Sequence, residues 1–379
     1  MDAVKKDVEQ SRKAAKLIPD LVEAALQGNS RRIESISLTV IRSLRGELPD
    51  VAQRIGTVLA GHQAGLDPVR LAKIEPPPLD RESNIALLKV EAVSEARKPV
   101  FDEALNEQVA RFVREWRKSA KLLEEGIFPP RTVLLMGPPG TGKTMCARWI
   151  ASELNLKLAT LDVATSISSF LGKTGLNLRR ALDYARATPC VLLLDEFDSI
   201  AKRRDDATDV GELKRIVNVL LKELEDWPYH SILLAATNHP DLLDSAVSRR
   251  FDRLIHTGLP EAPERSSILT SSLGRFSAVV KAPVLEGLAD ALSGRSGSEI
   301  DRLALASVRR HLVDGEPLEK ALLAEFTSLV PDSKGSVLTK FLTAIHKHSG
   351  ASFSLREIAD AVGLSVSTVH YHLNKGSKH

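Results

Sequence analysis

Several kinds of chemistry are excluded by what this chain lacks. Its two cysteines, Cys146 and Cys190, stand in no metal-ligand spacing, and two lone thiols fit a reducing compartment better than a disulfide framework. Aromatic residues make up only 4% of the chain, too few for a platform on which successive bases stack. No apolar stretch reaches the ~20 residues that a membrane-spanning helix needs. The first residues, Met-Asp-Ala-Val-Lys-Lys-Asp, lack the apolar core of an export signal. Neither sign of charge dominates, since the net charge is +3, so nothing points to nucleic-acid binding over the whole surface. The expectation is a cytoplasmic globular protein without a membrane partner. At 379 residues it has room for two or three domains.

What is present is organised around residues 132–153. Val133–Met136 is a short apolar run of strand length. Gly137-Pro138-Pro139-Gly140-Thr141-Gly142-Lys143-Thr144 follows, and behind it Cys146, Ala147, Ile150 and Ala151 recur at helical spacing. A strand, a glycine loop and a helix in that order make a phosphate-binding loop. Its backbone N–H groups turn inward on anionic oxygens, and the helix N-terminus adds partial positive charge. Residues Pro138 to Thr144 and Met145 are therefore the candidate nucleotide-binding set. Lys143 is placed to reach the β- and γ-phosphates of ATP, and the Thr144 hydroxyl to ligate Mg²⁺.

A second apolar run, Val191–Leu194, leads straight into Asp195-Glu196-Phe197-Asp198. Asp195 is the candidate to hold Mg²⁺ with Thr144, and Glu196 the candidate to polarise an attacking water. Leu158–Val163 and Ile232–Ala236 are further strand candidates, and Leu105–Glu124 has helical spacing. Asn238, at the tip of the Ile232 run, could orient water and sense the γ-phosphate. Arg249 and Arg250 lie past that run, where they cannot easily reach their own site but could face a neighbour's nucleotide in a ring.

The flanks are helical. Residues 1–75 carry three apolar sets at helical spacing, with Ser30 a candidate N-cap. This arm could select a partner or serve only packing. A proline-rich break opens a linker at 76–94, an α/β nucleotide-binding domain spans 95–260, and 261–331 reads as four helices. In the tail, 332–379, Leu355–Val362 and Ser365–Leu373 flank a glycine turn, with Val337–His346 as a supporting helix. That pattern looks like a helix-turn-helix, similar to winged-helix repressor heads. Ser365, Ser367, Thr368, His370, Tyr371 and Asn374 would then face a DNA major groove, unless the tail is only a docking module.

In order and spacing, these motifs resemble the AAA ATPases, ring motors of the AAA+ superfamily, over roughly residues 95–330. The resemblance implies a P-loop NTPase sheet with a small all-α lid, ATP and Mg²⁺ as cofactors, and an ATP-dependent homohexamer. Ala236-Thr237-Asn238 matches the family's sensor 1, and Asp226-Trp227 resembles its inter-subunit signalling turn. Ser248-Arg249-Arg250-Phe251-Asp252 resembles the compact arginine-finger segment of katanin-like members. Such fingers act in trans and contribute ~10³–10⁵ in turnover. Phe170-Leu171-Gly172 is, by resemblance, the pore loop that grips an extended protein substrate. Gly297 and Ser298 fall in the sensor 2 turn beside adenine and ribose. Arg295 departs from the uncharged residue common there, which leaves its role open. Members with this compact core sometimes pair with a separate subtilisin-like protease. A DNA-binding regulator or mobile-element factor acting through the tail is the alternative.

Overall fold

The structure, a computed structural model, describes residues 16–26, 30–46, 48–63, 78, 86–168, 174–199, 222–243, 245–329, 336–349 and 354–376. Phe170, Leu171 and Gly172 lie outside them. Contacts divide the chain into two units. The sheet unit takes residues 1–98, 107–137 and 143–256, and the helical unit takes 99–106, 138–142 and 257–379.

Six strands build the sheet: β1 (Lys89–Ala92), β2 (Thr132–Met136), β3 (Lys157–Asp162), β4 (Cys190–Asp195), β5 (Ile232–Thr237) and β6 (Arg253–His256), in the order β1-β3-β4-β5-β2-β6. Five run parallel, while β1 pairs antiparallel with β3. The fold is thus a mixed P-loop-type α/β sheet accompanied by a helical unit. β2 and β5 are buried along their whole length, as unbroken apolar runs in a parallel sheet should be. Parallel pairing brings the ends of β2, β4 and β5 to one edge, where open α/β sheets place their ligands.

β1 falls within the span expected to be linker. Lys-Val-Glu-Ala is a short edge strand with no apolar run to announce it. The helical stretch expected over 105–124 is two helices, α4 (Glu103–Arg117) and α5 (Ser119–Glu124), broken at Lys118. Behind the sheet strands follow α6 (Lys143–Glu153), α7 (Val163–Ser168), α8 (Thr174–Ala187) and the single turn α9 (Ser245–Ser248).

The arm contributes α1 (Ile18–Leu26), α2 (Ser30–Leu44) and α3 (Pro49–Gln63). Helix α2 begins at Ser30. Leu38, Ile41 and Leu59 bury themselves with Leu123 of α5 and Tyr229. The Arg42 guanidinium donates to Gly126 O at 2.9 Å, and Arg45 ion-pairs with Glu125. The arm is packed onto the sheet unit by both apolar and polar contacts.

In the helical unit, α10 (Ala262–Leu273), α11 (Ala282–Ala291), α12 (Gly297–Asp314) and α13 (Leu318–Leu329) precede the tail helices α14 (Ser336–Ser349), α15 (Leu355–Val362) and α16 (Val366–Gly376). All seven share one core, which includes Leu269, Leu288, Leu322, Phe341, Ile358 and Val369. Helices α11 and α14 cross backbone to backbone: a Cβ on Gly287 would lie 2.6 Å from Ile345 N. His348 of α14 bonds Asp290 of α11 at 2.7 Å and holds that carboxyl below its usual range. Among the described residues, no helix is long and apolar enough to cross a membrane.

Candidate nucleotide site

Within the sheet unit, Gly137 follows the end of β2, and its N–H donates to Thr237 O of β5 at 3.3 Å. Lys143 opens α6 and is 7% exposed, with Nζ donating to Gly137 O at 2.8 Å. Burial lowers its pKa, while the Asp195 and Asp198 carboxylates pull the other way. The Thr144 hydroxyl donates to Asp195 Oδ2 at 3.1 Å. Two hard oxygen donors side by side are what Mg²⁺ takes.

Glu196 is exposed and adopts φ +53°, a region non-glycine residues rarely enter. Asn238 is half-buried, and its backbone N–H donates to Asp198 Oδ1 at 3.2 Å. Asp198 itself is buried and also accepts the Thr237 hydroxyl. The motif that flagged Asp195 and Glu196 contains Asp198 too, but spacing alone could not say that it turns toward β5.

Arg249 and Arg250, alike in sequence, differ in the fold. Arg249 is exposed, with no ion pair among the described residues, whereas Arg250 pairs with Glu225. The next residues are anchored. Asp252 Oδ2 accepts the backbone N–H groups of Arg131 at 2.6 Å and Thr132 at 3.0 Å. Trp227, beside exposed Asp226, is fully buried with its indole N–H on Ser231 O at 3.0 Å.

Within the helical unit, residues 138–142 form the loop's tip. Pro138, Pro139 and, in the sheet unit, Met145 are exposed. The Thr141 hydroxyl bonds Pro138 O at 2.8 Å and lies 2.7 Å from Thr257 Oγ1. Ser298 N–H donates to Gly140 O at 3.1 Å, and a Cβ on Gly297 would sit 3.4 Å from the same oxygen. A Cβ on Gly140, at φ +76°, would overlap Ser298 Oγ and come within 2.8 Å of Ser296 Oγ. Ser296 caps α12 in a capping box with Glu299, whose pKa the Ser296 hydrogen bonds lower. Arg295 donates to Glu299 Oε1 at 3.2 Å, so its guanidinium is engaged by the first turn of the helix that follows it.

In the tail, Ser365 Oγ accepts Thr368 N–H at 3.1 Å and so caps α16. Ser367, His370, Tyr371 and Asn374 are exposed on that helix, and Thr368 is half-buried.

A parallel α/β core with a glycine loop, a buried lysine and a Thr–Asp oxygen pair at the strand ends defines a P-loop nucleotide-binding protein. The positive-φ glycines and those oxygen donors fit a nucleoside triphosphate with Mg²⁺. Residues 133–259 match the family described as "ATPase family associated with various cellular activities (AAA)", and that stretch is an AAA-family ATPase domain. Such ATPases bind ATP, typically with Mg²⁺, and commonly form homo-oligomeric rings.

An uncharacterised AAA family ATPase, y4kL, of Sinorhizobium fredii is 37% identical over 207 residues, 53% of this chain and 60% of that protein. The peroxisomal ATPase pex6 of Schizosaccharomyces pombe is 37% identical over 161 residues, 40% of this chain and 17% of that protein. The ATP-dependent zinc metalloprotease FtsH of Paraburkholderia phymatum is 33% identical over 244 residues, 60% of this chain and 36% of that protein. The chain therefore spans 60% or less of the length of these relatives. The crystal structure of the FIGL-1 AAA domain superposes with a TM-score of 0.54 at 23% identity, covering 73% of this chain and 99% of that one, which is a shared fold.

Proposed function

We propose that this chain is an ATP-hydrolysing subunit of a homohexameric ring that remodels, unfolds or threads a protein substrate. The observation that carries it is the Thr144–Asp195 contact at 3.1 Å, one residue on from the buried Lys143. Pro138 to Met145, with Gly297 and Ser298, line the nucleotide, and Lys143 binds its β- and γ-phosphates. Thr144 and Asp195 hold Mg²⁺, which when bound neutralises charge on the phosphate oxygens. Glu196 takes the proton of the attacking water, and Asn238 orients that water. Arg249 and Arg250, in a katanin-like segment, serve the neighbouring protomer's site. Phe170, Leu171 and Gly172 grip the polypeptide, and a separate subtilisin-like protease is a partner class such a motor could feed.

Purified protein should hydrolyse Mg·ATP. Glu196→Gln should lose about 10²-fold or more in turnover while still binding a fluorescent ADP analogue. Unchanged turnover in that variant would sink the hydrolytic assignment.

A second reading follows from α16, whose outer face presents Ser367, His370, Tyr371 and Asn374 to solvent. It makes the tail a DNA contact. Duplex DNA binding by the full chain that weakens with salt and in Tyr371→Ala would support it; no binding at low salt would end it.

A further inference from the structure

Asp198 stands at the junction of the two strands that hydrolysis would use. It is 2% exposed, and its Oδ1 accepts both the Thr237 hydroxyl and the Asn238 N–H, each at 3.2 Å. The Thr237 oxygen in turn accepts the His239 N–H at 3.1 Å, which leaves the hydroxyl proton directed at Asp198. Three successive residues at the tip of β5 are thus fixed, directly or through Thr237, by one carboxylate.

The turn that carries Asp198 is held by further bonds to β5 and within itself. Phe197 N–H donates to Ala236 O of β5, and Ser199 N–H to Glu196 O, both at 2.9 Å. The Phe197 ring meets Phe251 edge to face, with centroids 6.0 Å apart. Glu196 sits in this turn at φ +53°, a conformation that costs a residue with a Cβ about 1–2 kcal/mol. Such a conformation persists only where its surroundings over-determine it. Here those surroundings are Phe197, locked into the core, and Asp198, locked onto the tip that bears Asn238.

A buried carboxylate is expensive unless its oxygens are bonded.

We propose that Asp198 is a positioning residue. It holds Glu196 and Asn238 in the mutual geometry that hydrolysis needs and contributes little to nucleotide affinity. This rests on the ATPase assignment above. A merely structural tie would lower stability, affinity and turnover together, whereas positioning lowers kcat at constant affinity.

The test compares wild type, Asp198→Ala, Asp198→Asn, Thr237→Val and Glu196→Gln by steady-state ATP turnover, affinity for a fluorescent ADP analogue, and thermal midpoint. Asp198→Ala removes the bonds to Thr237 and Asn238 and should lower kcat between about 10- and 100-fold, since small misplacements of reacting groups cost that much. KM and analogue affinity should stay within about threefold, well under that loss. Asp198→Asn keeps an oxygen acceptor and should recover most of the lost kcat. Thr237→Val loses the hydroxyl's bonds to Asp198 and His239 but keeps the Asn238 N–H on Asp198, and should fall between. A kcat in Asp198→Ala within about twofold of wild type overturns the proposal, as does a matched loss of affinity and kcat. If the alanine variant does not fold, Thr237→Val decides: lower kcat at constant KM supports positioning, and unchanged kcat overturns it. Wild-type protein that binds ATP without hydrolysing it, or turnover indifferent to Glu196→Gln, overturns the ATPase assignment and this inference with it.

Discussion

At Gly140 two constraints meet. Its φ is +76°, and a Cβ there would overlap Ser298 Oγ and crowd Ser296 Oγ. Gly142 shares only the first, at φ +93°, because its Cβ would rest 3.5 Å from the Phe101 ring in ordinary contact. Gly142→Ala should therefore cost about 1–2 kcal/mol of backbone strain. Gly140→Ala should cost more, and should also weaken nucleotide binding by displacing the serine turn from the loop. Thermal midpoints of both variants, with and without Mg·ADP, check this; equal midpoints would contradict the crowding. At this scale the sequence was informative where a motif runs along one strand, loop and helix, as from Gly137 to Thr144. It was silent where a second strand supplies the partner. Asp198 gains its meaning from Thr237 and Asn238, and Arg250 its ion pair from Glu225, neither of which is close in sequence. Arg295 and Glu299 are four residues apart, but Arg295 precedes the N-cap Ser296, so helical spacing alone does not give that pair.

Elements were legible in proportion to their apolar periodicity. β2, β4 and β5 are continuous apolar runs, and the helices of 262–329 carry clear helical spacing. β1 and β6 were not, because Lys-Val-Glu-Ala and Arg-Leu-Ile-His offer four residues each, below what any period can resolve. Nor could periodicity reveal that α14 shares a core with α11, since that depends on a missing side chain. At Gly287 a Cβ would stand 2.6 Å from Ile345 N and 2.7 Å from Ile345 Cα. Those are backbone atoms, which cannot swing aside as a long side chain can. Gly287→Ala should cost about 1–3 kcal/mol through overpacking and speed amide exchange in α14 to α16 ahead of the rest of the chain. Gly258→Ala, with nothing within 4 Å of its Cβ, is the matched control and should be neutral. Equal exchange in the two variants would show that the tail does not depend on this crossing.

For the whole molecule, the decisive quantity is how turnover depends on protein concentration. If Arg249 and Arg250 complete a neighbour's site, an isolated protomer lacks a contribution of ~10³–10⁵ in rate, or about 4–7 kcal/mol of barrier. The Glu225 pairing does not forbid this for Arg250. The two side chains are 34% and 57% exposed, and exposed ion pairs contribute only about 0–1 kcal/mol. A nucleotide's phosphates on a neighbour would therefore outcompete Glu225. Arg249, with no ion pair to give up among the described residues, has still less to lose on transfer. Specific activity should rise cooperatively with concentration in wild type and stay low in Arg249→Ala and Arg250→Ala, while the affinity of each for a fluorescent ADP analogue holds. Mixing the two inactive variants sharpens the test. A protomer that lacks an arginine keeps an intact Glu196 in its own site, whereas Glu196→Gln can still lend its arginines to that site. Adding Glu196→Gln to Arg250→Ala should thus restore part of the turnover if sites are shared between subunits. Turnover independent of concentration, with no recovery on mixing, would leave each chain hydrolysing alone and remove the ring from the mechanism.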